Sequence, residues 1–323
     1  MRKRTTLNTA PAFPYFILFA VQLSLTTVPI FAQQPQPRAP SSAAGAGDAV
    51  RLTVTVTDGR GRYVSGLGQE HFEVLEGKAQ RGITDFSSAE EPMSVGVLYD
   101  ISGSVGDERL NAARAALVRF IRESPAAKEY FIGAFSRDAR EVTDWTRDAK
   151  MISAGLDALA PSNLPKKTTS GNTALYDACA AALDKFARAS LPKRVLLLFT
   201  DTGGDNSSRQ VEFRDLKEKL RRSGVLFYAV AIYNPQERPT FSAAEELNKL
   251  AEISGGKAFF PSTMTELATV MDRIVIELQH QYTISFAPGG ASEWNKIRVR
   301  VTPPADMKNR LYVRSREGYP ARD

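Results

Sequence analysis

The run Val95-Gly96-Val97-Leu98-Tyr99-Asp100-Ile101-Ser102-Gly103-Ser104 decides how this chain is read. Its opening residues are apolar without alternation, which predicts a strand buried on both faces, as inside a parallel sheet. At Asp100 the character changes to an acid, two hydroxyls and a glycine. In an open α/β sheet, ligands bind in the crevice outside the carboxyl ends of the strands. The end of this strand is therefore the place to look for chemistry.

The surrounding chain, residues 92–280, keeps the same rhythm. Helical spacing of Leu110, Ala113, Leu117, Phe120 and Ile121 predicts a helix over 109–122, followed by a buried strand over 130–135. A short strand near Val142 and a helix over 149–159 come next, then a helix over 173–189. Arg194-Val195-Leu196-Leu197-Leu198-Phe199-Thr200 is the most apolar strand of the chain. Helices over 211–223, 243–253 and 264–278 alternate with strands over 225–232 and 258–260. Strand alternating with helix predicts an α/β fold, a doubly wound and mostly parallel sheet covered on both faces by right-handed crossovers.

The flanks read differently. Val50, Leu52, Val54 and Val56 alternate with polar residues, and short strands are expected over 72–77 and 83–86. On the far side, 281–286, 296–301 and 310–314 alternate in the same way. Neither flank has enough strands for a stable sheet by itself. The expectation is one smaller all-β domain built from 49–91 and 281–323, packed beside the α/β domain. Two separate β extensions are the alternative.

At the N-terminus, Arg2-Lys3-Arg4 precedes an apolar stretch from Phe13 to Phe31-Ala32. A basic head, an apolar middle and a small exit residue are the pattern of a secretory signal, here residues 1–32. An uncleaved anchor is the competing reading, but Pro14, Gln22, Thr26, Thr27 and Pro29 make a poor spanning helix. Residues 33–48, QQPQPRAPSSAAGAGD, read as a flexible tether. The protein is expected to be exported: periplasmic, envelope-associated or secreted, with no stable membrane span once the signal is removed.

Composition narrows the function. The net charge of +6 falls to +3 without the three basic residues at the N-terminus, which gives nucleic-acid binding little support. One cysteine, Cys179, excludes a disulfide framework and any multi-cysteine metal site; His71 and His280 are too far apart in sequence to suggest a histidine centre.

Three segments converge on one sheet edge: Asp100-Ile101-Ser102-Gly103-Ser104, Ser170-Gly171-Asn172-Thr173, and Thr200-Asp201-Thr202-Gly203-Gly204-Asp205. Carboxylates and hydroxyls are hard oxygen donors, which select Mg²⁺, with Mn²⁺ or Ca²⁺ as alternatives, over zinc or copper. With few charged ligands, such an ion keeps net positive charge and open or water-filled positions. A carboxylate from another molecule can fill one of them.

These three motifs, in this order, resemble the metal-ion-dependent adhesion site of von Willebrand factor type A domains, a likeness that extends over about residues 92–280. The flanking Val64-Ser65-Gly66-Leu67, Phe72-Glu73-Val74-Leu75-Glu76-Gly77 and Arg316-Glu317-Gly318-Tyr319 resemble exported bacterial proteins with this domain, the acidobacterial type. The resemblance implies that Asp100, Ser102, Ser104, Thr173 and Asp201 hold the ion, directly or through water. It also implies a non-enzymatic adhesion role, the partner being a protein that offers an acidic side chain. The third loop departs from the family pattern, because Thr202 separates Asp201 from Gly203. Asp205 is thereby a substitute ligand, or an acid standing just behind the others.

Plainer readings compete. Asp100, Ser104 and Thr173 are residue types that cap helices, and Asp177 suits a local hydrogen bond. Arg221-Arg222 reads as a solvated face, and Cys179 as a buried small apolar residue. A metal-dependent hydrolase such as a phosphatase is the second functional class, weakened by Ser at position 102 and by the lack of a phosphate-binding Gly-x-x-x-x-Gly-Lys-Ser/Thr loop. A scaffold stabilised by the ion is the third.

Overall fold

The computed structural model describes residues 49–124, 127–164, 173–201, 210–233, 241–289, 292–307 and 309–321. The signal-like segment and the tether lie outside this range. Strand β1 (Val50–Asp58) is followed by β2 (Phe72–Glu76), β3 (Ala79–Arg81) and β4 (Ile83–Ser87). The α/β part opens with β5 (Met93–Asp100), α1 (Asp107–Glu123), β6 (Ala127–Phe135), β7 (Ala139–Thr146) and α2 (Ala149–Ala158). It continues through α3 (Leu175–Lys185), β8 (Lys193–Thr200), α4 (Phe213–Ser223), β9 (Leu226–Ala231), α5 (Phe241–Ser254), β10 (Lys257–Phe259) and α6 (Met264–Gln279). Strands β11 (Tyr282–Phe286), β12 (Trp294–Val301), β13 (Leu311–Arg314) and β14 (Gly318–Pro320) follow.

The central sheet has six strands in the order β10-β9-β8-β5-β6-β7. All neighbours are parallel except β7, which runs antiparallel to β6 at one edge. Every residue of β5 is buried, as its unbroken apolar run requires. Alternation along the strand then divides the core in two. Val95, Val97 and Tyr99 pack with Leu110, Leu117 and Phe120 of α1 and Met271 and Ile274 of α6. Leu98 faces the other way and joins Leu196 and Leu198 of β8 with residues of α3, α4 and α5. Gly96 also serves this second layer, because a Cβ there would sit 2.2 Å from the Phe131 ring. That ring is boxed in by Trp145 and Phe186 at centroid distances of 4.8 and 5.7 Å.

The two flanks pair with one another. Strand β1 runs antiparallel to β11, with Val50 opposite Phe286, and also to β13, with Val56 opposite Val313. Strand β2 pairs with β12, placing Val74 opposite Val299. The result is two four-stranded sheets, β13-β1-β11-β4 and β14-β12-β2-β3. They share one core that includes Leu52, Val54, Val74, Ile284, Ile297 and Tyr319. Separate β extensions are thereby excluded, since each sheet takes strands from both ends of the chain. Among the described residues, no helix is long and apolar enough to cross a membrane.

Polar contacts tie the β part to the α/β part. Glu277, at the end of α6 and 1% exposed, accepts hydrogen bonds from Tyr228 at 2.5 Å and from Tyr63 at 3.0 Å, and pairs with Arg314 of β13. Arg222 is exposed, as the sequence led one to expect, but Arg221 is half-buried against the β part. Arg221 pairs with Glu317 at 2.6 Å, and its guanidinium lies 4.8 Å from the Trp294 ring centroid. Arg222 reaches Glu218 at 2.7 Å and Glu293 at 3.2 Å. Helix α4 is therefore clamped to the β part, through partners more than 70 residues away in sequence.

Two outcomes follow from this packing. Glu277→Ala leaves Arg314 and two tyrosine hydroxyls without their acceptor. Its loss of stability is expected near the lower end of the range for breaking a buried pair, about 3 kcal/mol, because Arg314 keeps some solvent contact. Gly96→Val forces the boxed-in Phe131 ring to move and is expected to cost about 1–3 kcal/mol. Urea unfolding followed by circular dichroism measures both, and an unchanged midpoint for either variant would contradict the packing described.

Candidate metal centre at the carboxyl edge of the sheet

Strands β5 and β8 are parallel neighbours, with Tyr99 opposite Phe199 at the last paired position. Continuing that register sets Asp100 beside Thr200, and the structure joins them: the Thr200 hydroxyl donates to Asp100 Oδ2 at 2.9 Å. The other oxygen, Oδ1, accepts from the backbone N–H of Ser102 at 2.9 Å, an Asx-type turn that bends the chain out of the strand. Within that turn the Ser102 and Ser104 hydroxyls lie 3.1 Å apart. Asp100 and Ser102 are each 2% exposed, while Ser104 faces solvent. Val105 is buried in the core beneath the turn and anchors it, with its N–H donating to Ser102 O at 3.2 Å.

The second loop is fixed through β6. The Ile101 N–H donates to Phe135 O at 2.8 Å, and the Ala174 N–H donates to Ser136 O at 2.7 Å. Thr173, 4% exposed, is thus held next to the end of β6, one strand over from Asp100. Asp201 directly follows β8 and is partly exposed. Residues 202–209 and 165–172 lie outside the described range, so Asp205 and the Gly171-Asn172 pair belong to no described geometry. The far end of the third loop is nevertheless fastened, because the Val211 N–H donates to Asp177 at 3.0 Å. Asp177 therefore reaches across 34 residues.

The capping alternative finds no support. Helix α1 has Gly106 as its N-cap, with φ 73° and no side-chain cap hydrogen bond, so neither Asp100 nor Ser104 caps it. Ala174, not Thr173, occupies the N-cap of α3, again without a side-chain cap. These oxygens are gathered at the strand ends for some other purpose.

Electrostatics points the same way. Burial pushes the Asp100 carboxyl well above the ordinary carboxylate range, and the neighbouring Asp201 charge adds to the push. Hydrogen bonds from Ser102 and Thr200 pull in the opposite direction without cancelling it. A buried carboxylate that also feels a second negative charge is what a cation relieves. Among the described residues no three His, Cys, Asp or Glu side chains cluster as a metal centre. An ion here must therefore draw on hydroxyls as well as the two acids, a donor set that fits a hard divalent cation.

Sequence reading gave Thr200 no role of its own, yet it holds the second oxygen of Asp100. The signal was present in the hydroxyl that ends the most apolar strand, but assigning it required knowing that β8 neighbours β5.

Among curated proteins none matches this chain significantly. Solved structures with a similar course include proximal thread matrix protein 1 from the mussel byssus, at 17% identity and a TM-score of 0.46. That match covers 59% of this chain, which spans 49% of the mussel protein. A von Willebrand factor type A protein from Catenulispora acidiphila is 14% identical, with 84% of this chain and 74% of that one covered and a TM-score of 0.47. The conserved hypothetical protein BatB from Bacteroides thetaiotaomicron is 16% identical over 57% of this chain and 98% of its own, with a TM-score of 0.43. The assignment rests on none of these but on the family profile described as von Willebrand factor type A domain, which matches residues 95–273. That match spans more than half of the chain, and the protein belongs to the von Willebrand factor type A domain family, whose domains are generally interaction modules rather than enzymes.

Proposed function

We propose that this is an exported protein that captures a protein partner through a divalent cation held at Asp100, Ser102, Ser104, Thr173 and Asp201. The observation that carries the reading is the buried Asp100 carboxylate at the carboxyl edge of the sheet, which feels the charge of Asp201 and stands beside hydroxyls that cap no helix. Mg²⁺ is the ion the donor set suits first, with Mn²⁺ or Ca²⁺ as alternatives. Bound there, it supplies a hard Lewis acid that accepts a carboxylate oxygen from the partner. The chain's own residues do the rest. Thr200 and the Ser102 N–H orient Asp100, and Val105 seats the turn that carries both serines. Asp205 enters as a substitute for Asp201 or as an acid supporting it. Export is inferred from the basic and apolar N-terminal segment 1–32.

Two measurements test this. Thermal unfolding of the purified protein is expected to shift upward with millimolar Mg²⁺ or Mn²⁺, as binding to the native state alone requires. Asp100→Asn is expected to melt no lower than wild type in chelator, because it removes a buried charge facing Asp201, yet to lose the metal-induced shift. A shift that survives in Asp100→Asn would place the ion elsewhere. Capture of envelope proteins on the immobilised chain in Mg²⁺ is expected to reverse with chelator and to fail with Asp100→Ala. Capture indifferent to both overturns the adhesive reading.

A further inference from the structure

The two sheets of the β part have unlike outer faces. On β13-β1-β11-β4 the outer polar positions Thr55, Thr283 and Ser285 are buried, and Gln281 donates to both Thr55 and Tyr228 of β9 at 3.1 Å. That face is closed by the α/β part. On β14-β12-β2-β3 helix α4 meets the start of β12, where Arg221 lies over the Trp294 ring. Beyond that point the strand alternates, with Asn295, Ile297 and Val299 buried and Lys296, Arg298 and Arg300 exposed. The exposed positions are three cations in a row, about 7 Å apart along one strand.

Their neighbours do little to neutralise them. Arg300 has Glu73 opposite, at 3.5 Å. Arg298 stands opposite Leu75, with Gln80 beyond it on β3, and Lys296 stands opposite Gly318 of β14. Among the described residues neither Lys296 nor Arg298 has an ion-pair partner. Lys78, exposed in the turn after β2, adds a cation near Lys296, whose carbonyl accepts from the Gly77 N–H at 2.9 Å. The acids just before β12 and β14, Glu293 and Glu317, are engaged by Arg222 and Arg221.

Structural accounts do not cover this row. Charges on an edge strand keep it from pairing with other chains, but β12 lies inside its sheet, between β14 and β2. A face kept polar for solubility mixes both signs, and opposite charges across strands are the stabilising choice. A second basic group, Arg51, Lys193, Arg194 and Arg316, lines a cleft where β8 begins. There Arg51 pairs with Glu91 and Lys193 donates to Leu278 O at 2.7 Å, so these cations serve the fold.

We propose that the outer face of β14-β12-β2-β3 binds a linear acidic polysaccharide, its carboxylates lying along Lys296, Arg298 and Arg300. The row is a line about 14 Å long on one strand, which suits a chain-like polyanion better than a plane of lipid headgroups. Leu75 is half-buried, and the large exposed apolar side chains Val118, Met151, Ile276 and Tyr312 belong to other elements. Among the described residues the face thus lacks the apolar projections that enter a bilayer. Its ring, Trp294, is covered by Arg221 and so is not open to stacking by nucleic-acid bases.

Binding of the full chain to immobilised polygalacturonate, measured in chelator at low ionic strength, tests the proposal. Lys296→Gln/Arg298→Gln is expected to bind at least about fivefold more weakly, as the loss of two exposed ion pairs implies. Lys128→Gln/Lys150→Gln removes the same charge from exposed positions elsewhere and is expected to bind like wild type. Equal losses in the two double variants would reduce the effect to net charge and overturn the proposal. Full binding by Lys296→Gln/Arg298→Gln, or no binding by wild type, overturns it as well. So does tighter binding of a single-stranded oligonucleotide or of phosphatidylglycerol vesicles through the same two residues, which would name a different ligand. Asp100→Ala is expected to leave polygalacturonate binding unchanged, so failure here leaves the metal centre's own test untouched.

Discussion

Parallel pairing of β5 with β8 is the constraint on which the rest depends. Because both strands run the same way and end together, whatever follows Tyr99 must meet whatever follows Phe199. The chain places an aspartate after the first and a threonine and an aspartate after the second. Asp100 is buried there, and the charge of the partly exposed Asp201 adds to the cost of its ionised form. The apolar runs that make the sheet stable thus also set Asp100 where burial disfavours its charged form.

The surrounding loops are held with little reliance on side-chain caps. The turn after β5 hangs on Val105 in the core and on the Asp100 side chain itself. The segment before α3 hangs on a backbone hydrogen bond to the end of β6. Such fastening leaves the hydroxyls of Ser102 and Ser104 pointing at each other rather than into a helix terminus. Side-chain caps are absent where α1 and α3 begin, next to the candidate site, while α2 and α6 have them in Asp148 and Thr263. Local departures from sequence rules of this sort are expected where function takes precedence.

The β part is more than an appendage. Its strands come from both ends of the chain, and several of its basic residues face the α/β part. Arg314 goes to Glu277, while Arg51 and Arg316 line the cleft where β8 begins. Conversely, Arg221 and Arg222 of α4 reach Glu317 and Glu293. The two edges of the central sheet therefore have opposite electrostatic character, acidic at the strand ends and basic at their beginnings.

Residues close in sequence carried most of the architecture. The unbroken runs at 95–99 and 194–200, the helical spacing at 109–122 and the alternation at 50–56 each report local burial. Local burial suffices to tell buried strand from helix from half-exposed strand. The two carboxylates and the hydroxyls of Ser102 and Ser104 were legible for the same reason, since they follow such runs, whereas Thr173 follows none and was legible only through the family resemblance. Tertiary structure decided what depends on neighbours far along the chain. It made Thr200 the support of Asp100, set Arg221 against Glu317 and the Trp294 ring, and joined four cations from three segments into one cleft. Periodicity records which side of a residue is buried, but only the folded chain determines what lies on that side.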